Sequence, residues 1–176
     1  DYVEYQDAIT MIVRTLGYEP AVGLAGYPTG YLTKAGELGL TNSVNGYTGT
    51  PILRKDIAHL IFNSLDVPLM TQSGFGTFTQ YVINDGYSAI KKTLLSEKHN
   101  IVKLQALVTK ASYQTSTSST AKDKVTLSII NDYKSKFEIP ETVFVGNTNI
   151  EKYIGKEVIL FVEYNLTKFF LFASNS

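Results

Sequence analysis

Apolar positions change their period once along this chain. Up to about residue 70 they return every three to four positions; beyond it they tend to alternate, and β-branched and aromatic residues become frequent. A helical period followed by a strand period predicts two units of an α+β chain, 1–70 built from helices and 71–176 built from strands. The stretch from 67 to 76 carries Pro68, Gly74 and Gly76 and is expected to be the linker.

About three helices are expected in the first unit. Asp7 opens a turn, Ile9, Ile12, Val13 and Leu16 share one face, and Gly17 supplies a stop. A second helix is expected within 29–40, turning Leu32, Ala35 and Leu38 inward; its glycines weaken it but permit close approach of a neighbour. A third runs from Arg54 to Leu65 and is expected to bury Ile57, Leu60, Ile61 and Leu65. Asp7 and Asp56 stand in first turns, where a carboxylate complements the positive end of the helix dipole. Sliding the sequence by about 49 positions brings Asp7 onto Asp56, Ile12 onto Ile61 and Leu16 onto Leu65, which predicts one supersecondary unit used more than once, as one complete and one partial repeat.

In the second unit, residues 76–83 and 87–95 flank Asn84-Asp85-Gly86, and Asp-Gly predicts a hairpin between them. Alternating runs at 100–113 and 124–130 flank the polar tract from Tyr113 to Thr120, which reads as a solvated hairpin tip. Two short runs follow on either side of Pro140, then a helical turn at 148–155, then the paired strands KEVILFVEY and KFFLFAS. Five to seven short strands with one small helix predict a compact, partly closed antiparallel barrel, OB-like or SH3-like.

Composition removes several functions. Net charge is zero, with about −3 before residue 70 and about +3 after it, and no basic cluster exceeds Lys91-Lys92, so nucleic acid is not an expected partner. The chain has no cysteine, which excludes thiolate nucleophiles, disulfides and cysteine zinc sites; it also fits an exported bacterial protein. No apolar run approaches a membrane span of about 20 residues, and the polar start DYVEYQDA reads as a mature or expressed piece of something longer. His59 and His99 lack metal-ligand spacing, the serines sit in a glycine-poor polar tract, and GLAGYPTG lacks the lysine of a phosphate loop. No enzyme activity, metal or cofactor is expected.

The order Gly26-Tyr27-Pro28, Tyr31-Leu32, Ala35, Glu37-Leu38-Gly39-Leu40, Pro51 and Leu53-Arg54-Lys55-Asp56 before an apolar helix resembles the S-layer homology repeat. Residues 26–66 resemble one complete divergent repeat, and 3–18 the closing helix of a preceding one. The resemblance implies an extracellular, cell-wall or cell-surface protein whose partner is secondary cell-wall polysaccharide or neighbouring surface-layer domains. It places the family's arginine and acidic positions on Arg54 and Asp56, where a guanidinium fork and a helix N-terminus suit a ketal carboxylate. Tyr27 and Tyr31 are candidate stacking residues for sugar. The sequence departs from the family pattern where Leu53 replaces threonine, where Tyr5 stands at the earlier repeat's arginine position, and in having no tryptophan. Two functions follow: a non-catalytic scaffold or polysaccharide anchor, or a module whose β unit binds a protein, peptide or glycan.

Overall fold

The computed structural model describes residues 2–74, 76, 79–111, 123–131, 134–165 and 168–175. Two compact units divide the chain, Asp1–Leu94 and Leu95–Ser176. Secondary structure changes from helix to strand near residue 70, as the apolar period does, yet the first unit continues through Leu94 because the following hairpin is tied to its helices.

Helix α1 (Tyr5–Thr15), α2 (Thr29–Glu37) and α3 (Arg54–Ser64) form the first unit's helical layer. Their core collects Ile9, Val13, Leu16, Tyr31, Ala35, Leu40 and Leu60, all nearly or fully buried. Burying each large aliphatic side chain contributes about 1.5–3 kcal/mol, and this cluster is where the three helices meet. Gly17 ends α1 at φ 86° and lets the chain turn toward a 3-10 turn at Glu19–Ala21.

Strand β1 (Met70–Gly74) pairs antiparallel with β2 (Gln80–Ile83). The expected linker is therefore largely a strand, and the expected Asp-Gly hairpin does not form. Asn84 donates its side-chain amide to Leu69 O at 2.8 Å and to Thr71 Oγ1 at 3.0 Å, which locks it against β1. Asp85 Oδ1 accepts the Tyr87 and Ser88 amides at 2.8 and 3.0 Å, bending the chain aside so that 87–93 form no named strand. The hairpin joins the helices where Met70 N–H donates to Leu16 O at 3.0 Å.

Helix α4 (Leu94–His99) leads into the second unit, where β3 (Ile101–Ala111), β4 (Lys124–Ile129), β5 (Thr142–Phe144), β6 (Glu157–Asn165) and β7 (Lys168–Asn175) close a barrel. Alternation decides what points inward: Leu104, Ala106 and Val108 of β3 meet Val125, Leu127, Val143, Val158, Leu160 and Val162 in one core. Ile150, fully buried on the 3-10 turn Ile150–Tyr153, plugs it. Neighbours run β3-β4-β5-β7-β6, and β6 pairs back to β3. The barrel is closed where a partly closed one was expected, and β5 and β7 run parallel, pairing Phe144 with Phe170, where an all-antiparallel barrel was expected. Of the two runs expected beside Pro140, only 142–144 is a strand. The tract Tyr113–Thr120 and Leu166-Thr167 lie outside the described residues.

Candidate functional site

Helices α1 and α3 begin side by side. Glu4 and Pro51 form an antiparallel bridge, flanked by Tyr5 N–H to Thr50 O at 2.9 Å and Ile52 N–H to Val3 O at 3.0 Å. Each helix is entered through an extended residue, Glu4 at φ −78°, ψ 155° and Leu53 at φ −79°, ψ 151°, and neither supplies a side-chain cap. Both run 11 residues with an aspartate in the first turn, and a 49-residue shift carries Tyr5–Thr15 onto Arg54–Ser64.

Within the α3 turn, the two candidate residues have opposite surroundings. Arg54 is exposed and has no hydrogen bond or ion pair among the described residues. Asp56 is only 1% exposed; its Oδ1 accepts the Asn45 amide at 2.9 Å, and its Oδ2 has no partner among the described residues. The ring of Tyr5 fills the space beside Gly46, where an added Cβ would lie 2.2 Å from Tyr5 Cδ2. Burial, and then the charge of Asp56, raise the Tyr5 phenol above its ordinary pKa. Asp56 thus fastens the loop before α3 to the helix start.

The tyrosines divide as well. Tyr27 is 55% exposed and donates to Asp7 Oδ1 at 2.8 Å, a bond that raises the phenol's pKa by favouring its protonated form. Tyr31 is 4% exposed; its hydroxyl donates to Glu19 Oε1 at 2.8 Å and accepts from Arg14 Nε at 3.1 Å, while Arg14 also reaches Glu19 Oε1 at 3.0 Å. The Tyr31 hydrogen bond, with Arg14 behind it, holds Glu19 below the usual carboxylate range. No hydrogen bond, ion pair or ring contact among the described residues joins either tyrosine to Arg54 or Asp56.

Two features were not found by sequence reasoning. Gln6 is buried at the α1 start, where its Oε1 accepts the Gly49 amide at 2.8 Å and its amide donates to Glu4. Its signal, a glutamine inside a helix's first turn, is shared by any solvated turn. On the barrel exterior, Phe144 and Phe170 stack with ring centroids 5.0 Å apart, and the ammonium groups of Lys124 and Lys168 lie 4.9 and 5.3 Å from the Phe144 centroid. A groove of about 380 Å³ beside them is lined by Asp123, Asn147, Thr148 and Glu151 as well as both rings. Strand alternation sends Lys124 and Phe144 outward from the sequence alone, but only the parallel pairing brings Phe170 to them.

Among the described residues, no group of three or more acidic, histidine or cysteine side chains has metal-binding geometry, and both histidines are exposed. No helix of the described residues is long and apolar enough to cross a membrane.

The chain is similar to known bacterial surface proteins. It is 39% identical over 95 residues, 54% of its length, to the middle cell wall protein of Brevibacillus brevis, of which that match covers 8%. It is 28% identical over 162 residues, 92% of its length, to a cell surface protein of Thermoanaerobacter kivui, covering 18% of that protein. It is 35% identical over 83 residues, 47% of its length, to the surface layer protein of Brevibacillus choshinensis, covering 7% of it. The chain thus spans less than a fifth of each of these relatives. No family model matches, and no solved structure does. The relatives put the chain outside the cell, at its surface, in the company of structural wall and surface-layer proteins.

Proposed function

We propose that the chain is a non-catalytic structural module of a bacterial surface layer, whose helical unit is a divergent S-layer homology repeat contacting an anionic wall polysaccharide through the start of α3. The observation that carries this reading is the paired start of α1 and α3 around the Glu4–Pro51 bridge, with Arg54 exposed beside it. First-turn amides without a side-chain cap favour an anion, and an unpaired guanidinium can hold a carboxylate by two parallel hydrogen bonds. In this reading Arg54 is the ligand-contacting residue. Asp56 positions the Asn45–Gly46 loop, Tyr27 offers an exposed ring, and Tyr31 braces α1 against α2. The names of the relatives support the surface-layer setting.

The test is retention on purified cell wall. The expected result is binding that is lost on walls stripped of the polysaccharide and reduced about tenfold or more by Arg54→Ala, the loss of one charge-assisted contact in a site of few contacts. Retention untouched by both changes overturns the anchoring part.

The barrel favours a second reading, a glycan- or peptide-binding β unit. An OB-like barrel is the reading we infer here, supported by the neighbour order 1-2-3-5-4-1 of its five strands with the third and fifth parallel. Barrels of that type bind oligosaccharides on the face of strands two and three, where Lys124 and Phe144 lie. Glycan-array binding that survives Arg54→Ala and falls with Phe144→Ala and Lys124→Ala separates this reading from the first.

A further inference from the structure

Among the described residues, β2 has one neighbour, β1, in a two-stranded sheet. Two hydrogen bonds fix the direction of its backbone groups. Asn84 N–H donates to Leu69 O at 3.0 Å and so points toward β1, while Met70, opposite Ile83, turns its N–H the other way to Leu16 O. Directions alternate along an antiparallel pair, so the N–H and C=O groups of Tyr81 and Ile83 point away from β1. No backbone hydrogen bond among the described residues is made along that side. The end of α1 meets the far side of β1 through Met70, which leaves β2 as the open edge of the hairpin.

Open edges are ordinarily blunted by lysine, proline or a bulge. The register shift of this hairpin lies in β1, between Gln72 and Gly74, and β2 carries no charge and no proline. Its large side chains are uncovered as well. Tyr81 is 44% and Ile83 42% exposed, and because alternate residues share a face they form one apolar step beside the open backbone. By chemical kind, residues 80–84 read alike in both directions: amide, large apolar, valine, large apolar, amide. A strand with that symmetry and no charge is complementary to itself run backwards, which makes a second copy the best-matched occupant.

We propose that β2 is a docking edge for a second copy of this chain, the two β2 strands pairing antiparallel about a two-fold axis at Val82. Tyr81 of each copy then lies opposite Ile83 of the other, and the outward N–H and C=O groups of each such pair exchange hydrogen bonds. Each pair sets an aromatic ring against a β-branched side chain, a favourable cross-strand combination. With no charge on the edge, no like-charge repulsion opposes pairing with itself. The edge is short, so the contact is weak and reversible between free chains and gains weight where copies are held close together. The inference stands on strand direction, exposure and the symmetry of residues 80–84, and is independent of any polysaccharide.

Sedimentation velocity of the 176-residue chain, over a series reaching about 1 mM where a weak contact is populated, is the test. The expected result is a concentration-dependent shift from monomer toward dimer. Tyr81→Lys and Ile83→Glu, each at an exposed position, are expected to weaken association about tenfold or more when alone, since a charge then faces an apolar residue in both pairs. An equimolar mixture of the two variants is expected to recover it, because one pair becomes lysine against glutamate while the other stays isoleucine against tyrosine. Amide hydrogen exchange is the second readout: slower with rising concentration at Tyr81 and Ile83, and unchanged at Val82, whose N–H faces β1. A chain monomeric throughout, association untouched by both variants, or a mixture no better than either variant alone overturns the proposal. So does protection of the Tyr81 and Ile83 amides that is equal at every concentration, which would put another segment of the same chain on the edge.

Discussion

Gly17→Ala tests how the hairpin is joined to the helices. Gly17 ends α1 at φ 86°, and a Cβ built there would lie 2.0 Å from Met70 O, a backbone atom. Two costs follow. Placing an alanine at positive φ costs about 1–2 kcal/mol. Relieving the overlap means moving β1 away from α1, which loses the 3.0 Å bond from Met70 N–H to Leu16 O, a net loss of about 0.5–1.5 kcal/mol if both groups regain water and more if they stay buried. Together the change destabilises the first unit by about 1.5–3.5 kcal/mol. For a unit of this size that lowers Tm by about 6 °C or more. Gly23 provides the control: it also has positive φ, 70°, but a Cβ added there would meet nothing within 4 Å. Gly23→Ala therefore carries the backbone cost alone, about 1–2 kcal/mol. Thermal and urea unfolding followed by far-ultraviolet circular dichroism measures both. A Gly17→Ala penalty no larger than that of Gly23→Ala would refute the claim that the hairpin is seated on the end of α1.

Three further outcomes are expected. Tyr18 is buried, with its hydroxyl donating to Pro68 O at 2.7 Å, and burial raises its pKa. Its stabilising contribution is full below the unfolded phenol's value near 10 and is lost as pH rises through the folded value, so alkaline unfolding of the first unit should weaken its pH dependence in Tyr18→Phe, followed by absorbance at 295 nm. The Tyr87 and Ser88 amides lower the pKa of Asp85, so this bend is stabilised above the unfolded carboxylate's value near 3.9 and released as pH falls through the lower folded value; a carbon-13 titration of Asp85 showing no depression would contradict it. Leu160→Ala, at a fully buried site in the barrel, should cost about 2–5 kcal/mol in the second unit's transition, and calorimetry showing no loss would argue against a closed, packed interior.

The helices and most barrel strands were legible because one physical signal dominates each. Ile9, Val13 and Leu16 lie on one face of α1, and the alternation through β3, β4 and β6 separates inward from outward positions. What was not legible depends on partners distant in sequence. Asn84-Asp85-Gly86 carries the local chemistry of a hairpin, but Asn84 is held by Leu69 and Thr71, and that long-range pair decides the path. Pro68 and Gly74 read as linker, yet β1 forms between them because β2 and Leu16 satisfy its backbone. At the candidate site, the exposure of Arg54 fits its place in the first turn. The burial of Asp56 does not follow from helix physics; it comes from the Asn45 amide and the Tyr5 ring, neither of which any spacing marks. The period of α3 predicts Ile61 in the core, yet it is 47% exposed, since periodicity identifies an apolar face without saying whether a neighbour is present.

The barrel's closure has a mechanical corollary. Among the described residues, seven pairs stitch β3 to β6, while β5 and β7 meet at the pair Phe144 and Phe170. A cylinder under tension parts along its thinnest weld, and in this barrel that weld is the short parallel seam. The rings and ammonium groups gathered across it then act as a clasp on the outside of the tube, holding shut the one line along which the sheet has little backbone to spare.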